Sequence, residues 1–201
     1  MRRIVLATGN QGKVREISEI LAAMGRLDEF ELFPYSALIE PFEIEESGAT
    51  FKENALIKAR AVAKRLPGEI VMSDDSGISV PALGGIPGIY SARFAGVGAK
   101  DADNLAKLSR AIDEAGLQET PAFYTACIAL VGPKGEASAH GWMHGVAIAH
   151  PRGSGGFGYD PIFIPEGYNL TLGELDDEIK SRISHRARAL ELALKLLGMV
   201  S

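Results

Sequence analysis

Two periods of apolar recurrence run along this chain, and the changes from one to the other mark its elements. Residues 2–8, "RRIVLAT", are a short apolar run that reads as a buried strand. In "GNQGKVREISEILAAMG" the apolar residues Val14, Ile17, Leu21 and Met24 recur at helical spacing, and Gly25 supplies a stop. The chain therefore opens as strand, glycine-containing turn and helix. A second strand is predicted at residues 31–34. Residues 46–66, "ESGATFKENALIKARAVAKRL", read as the next helix, with Phe51, Ala55, Ala59, Val62 and Leu66 on its apolar face. Thr50 and Glu53 have the spacing of a capping box at its start.

The strand that follows holds the first anomaly. Ile70, Val71 and Met72 are apolar, and Ile78 and Val80 resume the alternation, but Asp74 and Asp75 stand between them. Burying a carboxylate costs several kcal/mol unless it is paired or bound to metal. The sequence leaves two readings, a charged turn at a strand end or a metal site. Residues 81–101 have no clear period and are rich in glycine and proline, so they read as loop. Residues 101–115 read as a helix. Two longer strands, "AFYTACIALVG" and "EASAHGWMHGVAI", flank a "PKG" hairpin turn. A glycine-rich loop leads into the strand "PIFIP", and Ser184 opens a final helix with Ala187, Leu190, Leu194 and Leu197 on one face. The pattern shows no repeat or linker. One α/β domain with a mixed β-sheet is the parsimonious reading of the whole chain.

Composition narrows the function classes. The net charge is −5, with 21 basic and 26 acidic residues, so no overall positive field draws the chain to nucleic acid or anionic lipid. The longest uncharged stretch, residues 76–92, is interrupted by Pro81, Pro87 and several glycines and is not a membrane span. The first residues have too short an apolar core for a signal peptide. Cys127, the single cysteine, lies in an apolar run and reads as a buried structural thiol in a reducing compartment. A cytoplasmic location is expected.

Four stretches could carry chemistry. "TGNQGK", residues 8–13, lies at a strand-to-helix turn, where exposed N–H groups attract anions and Lys13 adds positive charge. Its spacing is neither a P-loop nor GxGxxG. The acids Glu45, Glu46, Asp74 and Asp75 come from two segments and could supply oxygen ligands to magnesium. "GSGGFGYDP", residues 153–161, offers close backbone approach together with the aromatic faces of Phe157 and Tyr159. "KSRISHRARAL", residues 180–190, concentrates Lys180, Arg182, His185, Arg186 and Arg188 around the start of the last helix. Each has a plain alternative: an ordinary turn, a solvated acidic loop, a glycine-rich connection with core aromatics, a solvated basic face. Together they are the parts of a pocket for a nucleoside triphosphate with magnesium.

"LATGNQGKVREI", "TFKENALIKA", "DDSGI", "LGGIPGIYSARFAG", "GSGGFGYDPIF" and "KSRISHRARAL", in this order, resemble the inosine triphosphate pyrophosphatase (Ham1-like, dITP/XTP pyrophosphatase) family, in particular its bacterial branch. The resemblance implies an elongated mixed β-sheet flanked by helices, with two lobes and an active-site cleft between them. It implies a homodimer and magnesium-dependent hydrolysis of deaminated purine nucleoside triphosphates (ITP, dITP, XTP) to the monophosphate and pyrophosphate. It places Thr8, Gly9, Asn10, Gln11, Gly12 and Lys13 on the triphosphate, and Asp75 as catalytic base and metal ligand. Glu45 is its second metal ligand, with Glu46 adjacent and the alignment soft. Ser76, Phe157, Gly158, Tyr159, Asp160, Lys180, His185 and Arg186 are its remaining substrate contacts; hydrogen-bond chemistry separately suits Arg186 and His185 as donors to the 6-carbonyl of the base. A Maf-type pyrophosphatase, acting on other modified or pyrimidine triphosphates, is the alternative.

Overall fold

The computed structural model describes residues 1–9 and 11–201. Its six strands are β1 (Arg2–Leu6), β2 (Phe30–Pro34), β3 (Val71–Ser79), β4 (Glu119–Gly132), β5 (Gly135–Ile148) and β6 (Phe163–Pro165). Its helices are α1 (Gln11–Ala23), α2 (Phe51–Ala63), α3 (Asp101–Glu114), α4 (Asp177–Ile183) and α5 (His185–Lys195). The strands form one mixed sheet in the order β2-β1-β3-β4-β5-β6. β1 is parallel to β2 and to β3, with Val5 beside Val71 and Leu6 beside Met72, whereas β5 and β6 are antiparallel. The α/β class and the mixed sheet flanked by helices are as the sequence predicts.

The chain divides into two compact units. The first comprises Met1–Asp75, Ala126–Gly141 and Ser181–Ser201, and the second Ser76–Thr125 and Trp142–Lys180. In the first unit the strands are buried on both faces, and side-chain alternation sorts their residues. Ile4, Leu6, Met72, Ala126, Ile128 and Leu130 join one core cluster with Ile17, Ile20 and Leu21 of α1 and Ala189, Leu190 and Ala193 of α5. Val5, Ala7, Val71, Cys127 and Ala129 join the other with Ala55, Leu56, Ala59 and Val62 of α2. Cys127 is fully buried, and burial pushes its thiol up to about 12, with Asp74 and Asp75 adding to the rise. It is a packing residue, as its apolar run suggests.

The second unit packs α3 through Leu108 and Ile112, both fully buried. The Tyr124 and Phe163 rings meet edge to face, with centroids 4.9 Å apart.

Local signals hold with two refinements. Thr50 caps α2 by accepting the Glu53 N–H at 3.1 Å, but the Glu53 carboxylate reaches the Ala49 N–H at 2.7 Å, one residue before the cap. More consequential is β3. It does not end at the acids but continues through Asp74, Asp75, Ser76 and Gly77 to Ser79. The charged turn at a strand end is therefore corrected to a charged pair inside a strand.

Helix α5 lies close against β5 because Gly141 has no side chain. A Cβ there would collide with the His185 carbonyl and the Ala189 N–H, both backbone groups that cannot swing aside. Gly141→Ala is expected to cost about 1–3 kcal/mol, read as a lowered midpoint in thermal or urea unfolding.

Candidate active site

β3 carries two adjacent carboxylates, and the pleat sends them to opposite faces. Asp74 shares the parity of Met72 and meets α1 and α5. Its Oδ2 accepts from Lys13 Nζ at 3.0 Å and from Arg186 Nη2 at 3.1 Å. Arg186 also donates through Nη1 to Glu16 on α1. Asp75 shares the parity of Val71 and meets α2. Its Oδ1 accepts from Lys58 Nζ at 2.9 Å, and the same ammonium lies 3.2 Å from Glu46 Oε1. Ser73, on that same face, donates to the Ala55 carbonyl of α2.

Burial makes these contacts consequential. Asp74 and Asp75 are each 7% exposed, and Arg186 is 2% exposed. Burial alone raises the Asp74 carboxyl, but the charges of Arg186 and Lys13 and the Arg186 hydrogen bond outweigh it, so Asp74 stays ionised far below the usual range. Burial pushes the Asp75 carboxyl up; Lys58 opposes the rise, and the negative charges of Glu46 and Asp74 add to it. Burial works against the Lys58 ammonium, yet the Asp75 and Glu46 charges prevail and keep it protonated. His185 is buried next to this cluster. Burial first, then the Arg186 charge, lowers its imidazole to about 3, so it is neutral at pH 7.

A cavity of about 310 Å³ opens within the first unit, lined by Thr8, Gly9, Lys13, Glu46, Lys58 and Asp74, with Tyr35, Phe42 and Ile44 as its apolar wall. Two lysines and two carboxylates line it, each lysine paired with an acid, and it opens beside the strand-to-helix turn that leads into α1. Phosphate oxygens suit such a cavity.

The expected site residues divide as follows. Thr8, Gly9 and Lys13 line the cavity. Gly12 is exposed in the first turn of α1, and Gln11 begins that helix. Asn10 lies outside the described residues. Of the two adjacent acids, Glu46 is the one linked to Asp75 through Lys58, whereas Glu45 is exposed. Glu46, rather than Glu45, is thus the acid that the fold brings to the Lys58–Asp75 pair.

Arg186 donates through its two terminal nitrogens to Glu16 and Asp74. In the second unit, Phe157 keeps an exposed ring, while Tyr159 is buried and donates its hydroxyl to the Ser91 carbonyl at 2.7 Å. Asp160 accepts from the Phe157 N–H at 3.2 Å, and Asp101 accepts from the Gly158 N–H at 3.1 Å. Tyr159 and Asp160 therefore hold the loop that displays Phe157. Ser76 is half-buried on β3, and Lys180 pairs with Asp177 at 2.6 Å.

Sequence reasoning missed Lys58, Glu16 and Asp101. The Lys58 signal was present: it lies three residues after Ala55 and four before Val62, a charge inside the apolar stripe of α2.

The residues fit a magnesium ion in one specific way. Asp75 Oδ2 is buried with no hydrogen-bond partner among the described residues, and Glu46 lies across Lys58 from Asp75. Among the described residues no cluster of three or more His, Cys, Asp or Glu could cage a metal. Two carboxylates suit magnesium, which keeps water and takes substrate phosphate oxygens for the rest of its shell.

A family model described as the Ham1 family matches residues 4–196. The chain is 55% identical over 199 residues to a "dITP/XTP pyrophosphatase" of Nautilia profundicola, covering 99% of both chains. It is 55% identical to a protein of the same name from Sulfurimonas denitrificans, covering 97% of this chain and 98% of that one. Among solved structures it is similar to the Staphylococcus aureus Ham1 protein, with TM-score 0.84 and 37% identity over 98% of each chain.

Stability should fall in acid. The His185 pKa is lower folded than unfolded, so its contribution is fully present above about 6.5 and is lost as pH falls toward about 3. Asp74, also depressed, adds a loss of the same sign as pH falls below its unfolded value of 3.8. Urea midpoints across pH 7 to 3.5 check this, and a His185→Gln variant should lose less between pH 6.5 and 4. At pH 7, Asp74→Asn should lower unfolding free energy by about 3–5 kcal/mol, because it leaves buried Arg186 short of a counter-charge.

Proposed function

The chain belongs to the Ham1 family, and on that premise we propose that it hydrolyses deaminated purine nucleoside triphosphates (dITP, XTP and ITP) to the monophosphate and pyrophosphate. The family match favours this reading over the Maf-type alternative. The observation that carries it is a cavity lined by Lys13 and Lys58, the second of which pairs with the buried Asp75.

Lys13, Lys58 and the N–H groups that open α1 hold the triphosphate. They also take up the negative charge that grows on the leaving pyrophosphate. Water attacks the α-phosphorus, the bond from that phosphorus to the bridging oxygen breaks, and pyrophosphate departs with the electron pair. Asp75 accepts the proton of the attacking water. A buried carboxyl with a raised pKa is a better base than an exposed one. Asp75 and Glu46 would hold magnesium, which when bound would neutralise phosphate charge and lower the pKa of a water.

Phe157 retains the aromatic face that the resemblance assigns to the nucleobase, with Tyr159, Asp160 and Asp101 fixing its loop. Arg186 is held by Glu16 and Asp74 through its two terminal nitrogens, and Phe157 supplies an exposed aromatic face in the second unit. The active form is proposed to be a homodimer in the cytoplasm. A single buried cysteine agrees with a reducing compartment.

A panel of dITP, XTP, ITP, dATP, dGTP and dCTP with magnesium, scored for pyrophosphate, tests the reading. Pyrophosphate from the first three alone is expected, whereas orthophosphate release or a pyrimidine preference overturns it. Asp75→Asn should lower kcat by at least about a hundredfold, within the range for removal of a general base, with dITP still bound as judged by equilibrium dialysis. Near wild-type turnover in that variant removes Asp75 from the mechanism.

A further inference from the structure

The ammonium of Lys58 lies between the two carboxylates that the metal needs. It is 2.9 Å from Asp75 Oδ1 and 3.2 Å from Glu46 Oε1, and Lys58 is only 9% exposed. The other Asp75 oxygen is buried with no hydrogen-bond partner among the described residues. A small divalent cation and an ammonium seek the same oxygens, and two positive charges within a few ångströms repel strongly in a partly dehydrated site. Lys58 also lines the cavity assigned to the triphosphate, beside Thr8, Gly9 and Lys13. It therefore has two sets of anionic partners within the reach of one flexible side chain, the carboxylates and the phosphates.

We propose that Lys58 is an internal competitor for the divalent cation, occupying the Asp75–Glu46 carboxylates in the nucleotide-free enzyme and leaving them for the phosphates when substrate arrives. The inference rests on the triphosphate reading of the cavity and adds a coupling to it. Empty enzyme holds its metal ligands neutralised by a lysine, and the two acids become available as the substrate phosphates claim that lysine. Metal and triphosphate then favour each other's binding, and the coupling is reciprocal. Without Lys58 the buried Asp75 and the half-buried Glu46 would lack this counter-ion, a cost that explains why a lysine occupies the apolar stripe of α2.

The test is Mn²⁺ binding to nucleotide-free protein, followed by electron paramagnetic resonance of the free ion. Lys58→Met and Lys58→Gln should bind Mn²⁺ at least about tenfold more tightly than wild type. Lys13→Met is the control. It also removes a cavity cation, but one paired with Asp74, so its Mn²⁺ affinity should stay within about twofold of wild type. Mn²⁺ should raise the melting temperature of the Lys58 variants more than that of wild type, since only ligand bound to the native state stabilises it. The proposal is overturned if both Lys58 variants bind Mn²⁺ no more tightly than wild type, or if Lys13→Met gains as much as they do. Pyrophosphate release by wild type from dITP tests the underlying reading separately, so the coupling can fail while the reaction stands.

Discussion

The pleat of β3 puts the side chains of two neighbouring aspartates on opposite faces of one sheet, and the site is built around that division. Asp74 faces α1 and α5, where it joins Lys13 and Arg186. Asp75 faces α2, where it joins Lys58 and, through it, Glu46. A helix could not sort adjacent residues this way, because its neighbours are 100° apart on one continuous surface rather than on two sides of a layer. The same alternation that sorts Ile4 from Val5 and Ile128 from Cys127 into separate cores thus sorts two acids into separate tasks.

The two faces solve the cost of burial differently. On the Asp74 face a carboxylate accepts from two cations, and one of those cations is shared with Glu16, so charge is satisfied within the fold. Such a network adds little net stability over an apolar core, but removing one member is expensive. Its use is to hold Lys13 and the start of α5 in place. On the Asp75 face the balance is incomplete: one ammonium serves two carboxylates. A fold tolerates such a deficit where a ligand is to complete it.

Membership of the Ham1 family and the physical reading converge without being the same argument. The family match identifies the reaction class. The geometry says how this chain's residues divide the work, and it changes several assignments: Glu46 in place of Glu45 beside Asp75, Tyr159 as an anchor for its loop, and Arg186 engaged by acids. Lys58 enters as a cavity residue that motif reading had passed over.

By itself the sequence determined the elements other than α4, their order, the α/β class and the family, because hydrophobic periodicity, caps and glycine turns are local properties that neighbours in the chain decide. The motif blocks also marked Lys13, Asp75, Phe157 and the 184–186 stretch as chemistry. Only the tertiary structure decided who meets whom. Asp74 and Arg186 are 112 residues apart, and Lys58 and Asp75 are 17 apart on different elements. Whether a charge on an apolar stripe is a defect or a counter-ion depends on what packs over it, and a periodicity carries no information about the facing element. Even the place of the acids within β3 was hidden. A strand is recognised by apolar alternation, and here two positions of that alternation are charged because partners from three helices neutralise them.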